Sequence, residues 1–191
     1  MKNLIGLHQL PVTPMFIIRE KIYRRPHRWN CLPNVGRESH TYLNHIVNNY
    51  ETLSEVTVFL QAEGGGKFCF DTPEDYLTDL ITKNVACKST GPSSDWGRIN
   101  HRSKWQDDLE GGKMRRSKWS LGEFFQELFG FPHPPTFNFC PTGCFAATRD
   151  MIKKHPFEFY KKAISYIDDH PNPEEGHYFE RLWPTIICGC W

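Results

Sequence analysis

Glu180 and Arg181 interrupt an otherwise apolar, aromatic run that reads Glu174-Glu175-Gly176-His177-Tyr178-Phe179-Glu180-Arg181-Leu182-Trp183. At helical spacing Gly176 and Glu180 share one face, with His177 and Arg181 beside them. A carboxylate in such surroundings holds its proton more tightly than in water, which suits a general base. The same residues also read as a structural ion pair, with Glu174 and Glu175 facing the positive end of a helix dipole.

Asn34-Val35-Gly36-Arg37-Glu38-Ser39 stands where a helix begins. Backbone N–H groups at such a start can hold an anion, and Arg37 can add a forked contact to phosphate. A capped helix with a solvated arginine is the plainer reading. Gln61-Ala62-Glu63 follows an apolar run and places polar groups at the end of a strand, where open α/β sheets bind ligands. A polar turn would look the same. Pro141 to Arg149 (PTGCFAATR) is built of small residues that permit close packing or close approach of a ligand. Cys144 as a nucleophile would need a base that the sequence does not name.

These residues need elements to position them. Tyr42, Leu43, Ile46, Val47 and Tyr50 recur at three and four residues, which predicts a helix from Ser39. Val56–Leu60 (VTVFL) reads as a strand buried on both faces. Met15–Ile18 and Phe137–Cys140 read as further short strands, and Arg24–Trp29 as a loop. Thr72-Pro73-Glu74-Asp75 opens a second helix with an N-cap, a proline and acids. Ser120 and Glu123 form a capping box before Phe124 and Phe125. Thr148 or Arg149 begins a turn that Pro156 interrupts, and Phe157–Ile167 continues as a helix. Asn172, Pro173 and Glu175 cap the last helix. Residues 89–118 hold Trp96 and Trp105 among lysines and arginines, and read as a mobile loop. Lys104, Lys113, Arg115, Arg116 and Lys118 could close over a diphosphate. Asp107, Asp108 and Glu110 offset that charge, which argues against a groove for nucleic acid.

The chain has 191 residues, 39% of them hydrophobic, enough for one domain spanning 1–191 with a sizeable core. A net charge of +1 gives no global pull towards nucleic acid or membrane. No apolar run reaches the roughly 20 residues of a membrane span. His8, Gln9 and Pro11 break the N-terminal apolar run, which therefore reads as a strand or an arm rather than a signal peptide. The seven cysteines are odd in number and form no CxxC pair. Their apolar contexts suit small buried hydrophobes, so the thiols read as reduced and the chain as cytoplasmic.

Three blocks carry a resemblance: PNVGRESHTYLNHIVNNY with VTVFLQ, then FNFCPTGCFAATRDMIKKHPFEFYKK, then GHYFERLW. Together they resemble a group of small glycosyltransferase-like proteins of the GT-A fold. More distantly, the last two blocks are similar to the branching N-acetylglucosaminyltransferases. The resemblance implies an α/β domain with a Rossmann-like, mixed, mostly parallel sheet flanked by helices. It implies transfer of a sugar from a nucleotide-sugar donor to a hydroxyl of a carbohydrate acceptor. Glu180 would be the base, and Asn34, Gly36, Arg37, Gln61 and Arg149 would bind the donor. GT-A enzymes commonly hold Mn²⁺ or Mg²⁺ on an Asp-x-Asp triplet. Gln61-Ala62-Glu63 is one charge short of it, leaving Glu63 and His177 as candidate ligands, whereas the branching enzymes work without a metal. The alternatives are a non-catalytic carbohydrate- or nucleotide-binding domain and a protein-docking domain.

Overall fold

The computed structural model describes residues 32–61, 73–83, 87, 89, 91–100, 103–140 and 143–189. The strand expected at Met15–Ile18, the loop at Arg24–Trp29, the cap at Thr72 and the ligand candidate Glu63 lie outside them.

Among the described residues seven helices and four short strands form. They are α1 (Arg37–Asn49), β1 (Val56–Phe59), α2 (Pro73–Lys83), β2 (Pro92–Ser93), α3 (Ser103–Glu110), α4 (Leu121–Phe129), β3 (Phe137–Asn138), β4 (Phe145–Thr148), α5 (Arg149–Ile152), α6 (Phe157–Ile164) and α7 (Glu174–Cys188). The Ser120–Glu123 capping box is present at α4, with both reciprocal bonds made. Thr148 caps α5 by accepting from Met151 N. Helix α7 starts after Pro173 rather than Asn172, and it runs on through Pro184.

The expected parallel, GT-A-like sheet is overturned. The described strands form two separate antiparallel pairs, β1 with β4 and β2 with β3. Alternating helices and strands suggested a parallel sheet, but alternation does not specify a strand's partner. All four β1 residues are buried, as a central parallel strand would be. Here helix side chains supply the cover. Helix α2 packs on both strands of the first pair. Tyr42 of α1 and Trp183 of α7 close on Phe59 and Phe145.

Helix α7 is the central element and packs against α1, α4, α5 and β3. Phe179, Leu182, Trp183, Ile186 and Ile187 on it are fully buried. Burial of each such side chain is worth about 1.5–3 kcal/mol.

The segment 89–118 is more ordered in its chemistry than a loop. It contains α3, and its basic residues find buried acids. Arg116 Nη1 lies 3.2 Å from Glu174 Oε1, and Ser117 N donates to Glu174 Oε2 at 2.9 Å. Arg115 Nη1 lies 3.1 Å from Glu175 Oε2. Arg98 donates to the carbonyls of Ser117, Lys118 and Trp119. Fully buried carboxylates must be paired, and these bonds pair them.

The thiols are also corrected. Cys87 and Cys140 are joined by a disulfide, with Cα atoms 6.0 Å apart. Cys144 is disulfide-bonded as well, which removes it as a nucleophile. An apolar neighbourhood does not distinguish a lone buried cysteine from half of a buried disulfide.

Candidate active site

Helix α1 begins on two successive left-handed residues, Gly36 at φ 61° and Arg37 at φ 57°. At Gly36 a side chain would overlap the Ile167 carbonyl oxygen and the His40 Cβ. Arg37 has no such exemption, and its conformation costs roughly 1–2 kcal/mol. Its side chain is correspondingly well held. Nη1 donates to Asn172 Oδ1 and meets His177 Nε2, both at 3.3 Å. Nε lies 3.7 Å from Glu38 Oε2. The guanidinium lies 4.8 Å from the centre of the Trp105 ring. Gly176 makes room for it, since a Cβ there would come to 3.0 Å from Arg37 Cδ.

Glu38, the next residue, brings a carboxylate oxygen close to Gly143. A Cβ built on Gly143 would lie 3.7 Å from Glu180 Cγ and 3.9 Å from Glu38 Oε1. Two carboxylate side chains, from α1 and α7, thus converge on one bare glycine. Glu38 Oε1 and the Tyr42 hydroxyl are both buried without a hydrogen-bond partner. The Tyr42 pKa is pushed well above its ordinary value by burial first, then by the nearby charges of Glu38, Tyr76 and Glu180. Beneath them lies an aromatic floor. Phe59 and Phe145, opposite each other in the β1–β4 register, stack at 4.7 Å. Tyr42 meets Phe59 at 5.1 Å, and Trp183 meets Phe145 at 5.0 Å.

Arg181 turns the other way, into a cavity of about 230 Å³ lined by Ser93, Asp95, Asn100, Phe137 and Phe139 among others. Its Nη1 donates to the His177 carbonyl at 3.0 Å. The guanidinium lies 5.3 Å from the Phe139 ring centre. Burial pulls its pKa down, and the carboxylates of Glu180 and Asp95 pull it back up.

The sequence-predicted residues divide accordingly. Gly36, Arg37 and His177 meet at the starts of α1 and α7, and Glu180 lies about one turn further along α7 against Gly143. Asn34 is exposed just before Gly36, and Gln61 is half-buried two residues past β1. Since Phe59 pairs with Phe145, Gln61 leaves the sheet at the end where Gly143 enters it. Arg149 lies at the other end of β4, where its Nε donates to the Leu53 carbonyl at 2.7 Å. It is not brought to the site. His177 presents Nε2 to Arg37, so a cation on that nitrogen would have to displace the guanidinium. Among the described residues no cluster of three or more metal-ligating side chains occurs. The sequence reading missed Glu38, Tyr42, Asp95 and the two phenylalanines. Glu38 and Tyr42 are four apart on one helix face, a signal that was present.

A family model described as "Protein of unknown function (DUF3431)" matches residues 15–189. No curated protein and no solved structure gives a match.

Proposed function

We propose that this chain, which belongs to the DUF3431 family, transfers a sugar from a nucleotide-sugar donor to a hydroxyl of a carbohydrate acceptor. The observation that carries the reading is the approach of the Glu38 and Glu180 side chains to Gly143. In the reaction the acceptor oxygen attacks the anomeric carbon, and the bond from that carbon to the nucleoside diphosphate breaks. Glu180 takes the hydroxyl proton, and the diphosphate leaves with the bonding electrons. Glu38 Oε1 and the Tyr42 hydroxyl are buried without hydrogen-bond partners, and the charges of Glu38 and Glu180 both act on Tyr42.

Charge on the leaving diphosphate needs cations. Arg37 and Lys104 both lie over the Trp105 ring, at 4.8 and 5.3 Å from its centre. They take the role that the sequence reading gave to Arg37 with Arg149 or the loop lysines. The disulfides favour an oxidising compartment over the cytoplasmic location read from the sequence. Among the described residues no helix is long and apolar enough to cross a membrane.

Thermal-shift screening against a panel of nucleotide sugars, with and without Mn²⁺, tests donor binding. Ligand at one hundred times its dissociation constant stabilises the fold by ~2.7 kcal/mol. A shift with one donor supports the reading, and no shift with any donor contradicts it. A non-catalytic binding domain would show the same shift yet be indifferent to Glu180→Gln.

A further inference from the structure

The cavity into which Arg181 turns is framed by well-anchored backbone. Ser93 of β2 pairs with Phe137 of β3, and Cys140, just beyond β3, is tied to Cys87 by the disulfide. After β2 the chain bends through Asp95, Trp96 and Gly97. Gly122 N donates to the Trp96 carbonyl at 2.8 Å and Leu121 N to the Gly97 carbonyl at 3.2 Å, which fastens the bend to the start of α4. Within the bend, Asp95 N donates to Ser93 Oγ at 3.3 Å, and Asp95 Oδ1 accepts from Gly97 N at 3.1 Å. Gly97 leaves that carboxylate room, since a Cβ there would come to 3.2 Å from Asp95 Oδ1. Helix α7 contributes Arg181 to the same lining.

Arg181 and Asp95 are the charged side chains of this lining. A guanidinium carries five N–H donors. Among the described residues, Arg181 makes one side-chain hydrogen bond, to the His177 carbonyl, and packs on Phe139, and no carboxylate forms an ion pair with it. Most of the fork is left to the cavity. Asp95 spends Oδ1 on Gly97 N and, among the described residues, pairs with no cation. A cation and an anion that share a cavity without pairing are best complemented by an occupant with an opposite charge for each. An arginine fork matches a carboxylate through two parallel N–H···O bonds, and a carboxylate matches an ammonium. A simple anion would satisfy Arg181 but meet Asp95 as a like charge, and a simple cation would do the reverse. The volume of about 230 Å³ lies below the roughly 300–1,000 Å³ of pockets for drug-sized ligands, so the occupant is small.

We infer that this cavity binds a small zwitterion of the free α-amino acid class, with its carboxylate on the Arg181 guanidinium and its ammonium on Asp95. The site is separate from the approach of Glu38 and Glu180 to Gly143, and the inference does not rest on the sugar-transfer reading.

Titration calorimetry and saturation-transfer NMR with glycine, alanine and serine test this. Propionate and ethylamine, each alanine stripped of one charged group, are the comparison. At least one amino acid should bind saturably, about tenfold or more tighter than either comparison compound, the loss of one charge-assisted hydrogen bond. Asp95→Asn and Arg181→Gln should each weaken amino-acid binding by a similar factor. Asp95 is exposed and an amide oxygen still accepts from Gly97 N, so Asp95→Asn should keep the wild-type near-ultraviolet circular dichroism. The comparison compounds test the wild-type protein and need no variant to fold. The inference is overturned if no amino acid binds, if propionate or ethylamine binds as tightly as alanine, or if folded Asp95→Asn binds the amino acid as well as wild type does.

Discussion

Glu38 and Glu180, 142 residues apart in the chain, meet at Gly143, where a Cβ would lie within 3.9 Å of Glu38 Oε1 and 3.7 Å of Glu180 Cγ. Neither distance is a clash, so the glycine is required by its backbone, at φ 66°, rather than by crowding. The bare position leaves open the space between the Glu38 carboxylate oxygen and the Glu180 side chain.

Gly143→Ala separates these two effects. The left-handed backbone should lower stability by about 1–2 kcal/mol, read from urea unfolding. The methyl group against the Glu180 and Glu38 side chains should reduce turnover further than that loss of folded protein explains. Unchanged turnover in the folded variant would show that the space is not used.

Arg37 stores strain that its contacts hold in place. Arg37→Ala keeps the unfavourable φ and removes the bonds to Asn172, His177 and Glu38. Arg37→Gly removes the same bonds and relieves the backbone. The glycine variant should therefore be more stable than the alanine variant by about 1 kcal/mol, measured by urea midpoint. The opposite order would mean that the left-handed conformation at 37 is not present.

Acid should destabilise the fold through its histidines. Burial lowers the pKa of His40, His45 and His155 below the ordinary value near 6.5. The unfolded chain then binds more protons than the folded one once pH falls below about 6.5. Stability is thus fully present above that value and is lost as pH falls towards the folded-state pKa values. Each histidine contributes a slope of at most about 1.4 kcal/mol per pH unit. Urea midpoints at pH 7.0 and 5.5 should differ in this direction, and His45→Asn should reduce the difference. A midpoint that rises on acidification would contradict the burial of these rings.

Reduction should loosen the end of β3. Cys87 and Cys140 are 53 residues apart, between the loop lengths for which closure is worth about 3 and about 4.7 kcal/mol. Dithiothreitol, or the paired Cys87→Ser and Cys140→Ser change, should lower the melting temperature markedly. No change with either would mean that the thiols are unpaired in solution.

Local elements were legible in the sequence where one short-range interaction decides them. The Ser120–Glu123 box, the Thr148 cap and the helix face from Tyr42 to Ile46 are of this kind. Strand partnership was not legible. VTVF carries no mark of whether it pairs with a parallel neighbour or with FAAT of β4, because burial on both faces looks the same in each case. Helix α3 was hidden in a charged stretch whose anchors, Glu174 and Glu175, lie far along the chain. The importance of α7 was visible in Glu180 and Arg181 standing among aromatics. Their opposite directions, one towards Gly143 and one towards the cavity, depend on the tertiary packing of that helix.

The most direct test follows nucleoside diphosphate release from a panel of nucleotide sugars with a glycan acceptor, comparing wild type with Glu180→Gln. Loss of a general base typically reduces rate about 10²–10⁴-fold. Release by the wild type, reduced by at least about a hundredfold in Glu180→Gln with donor affinity within a few fold, is the predicted result. Equal release by both proteins, or none by the wild type with any donor, would contradict sugar transfer driven by Glu180.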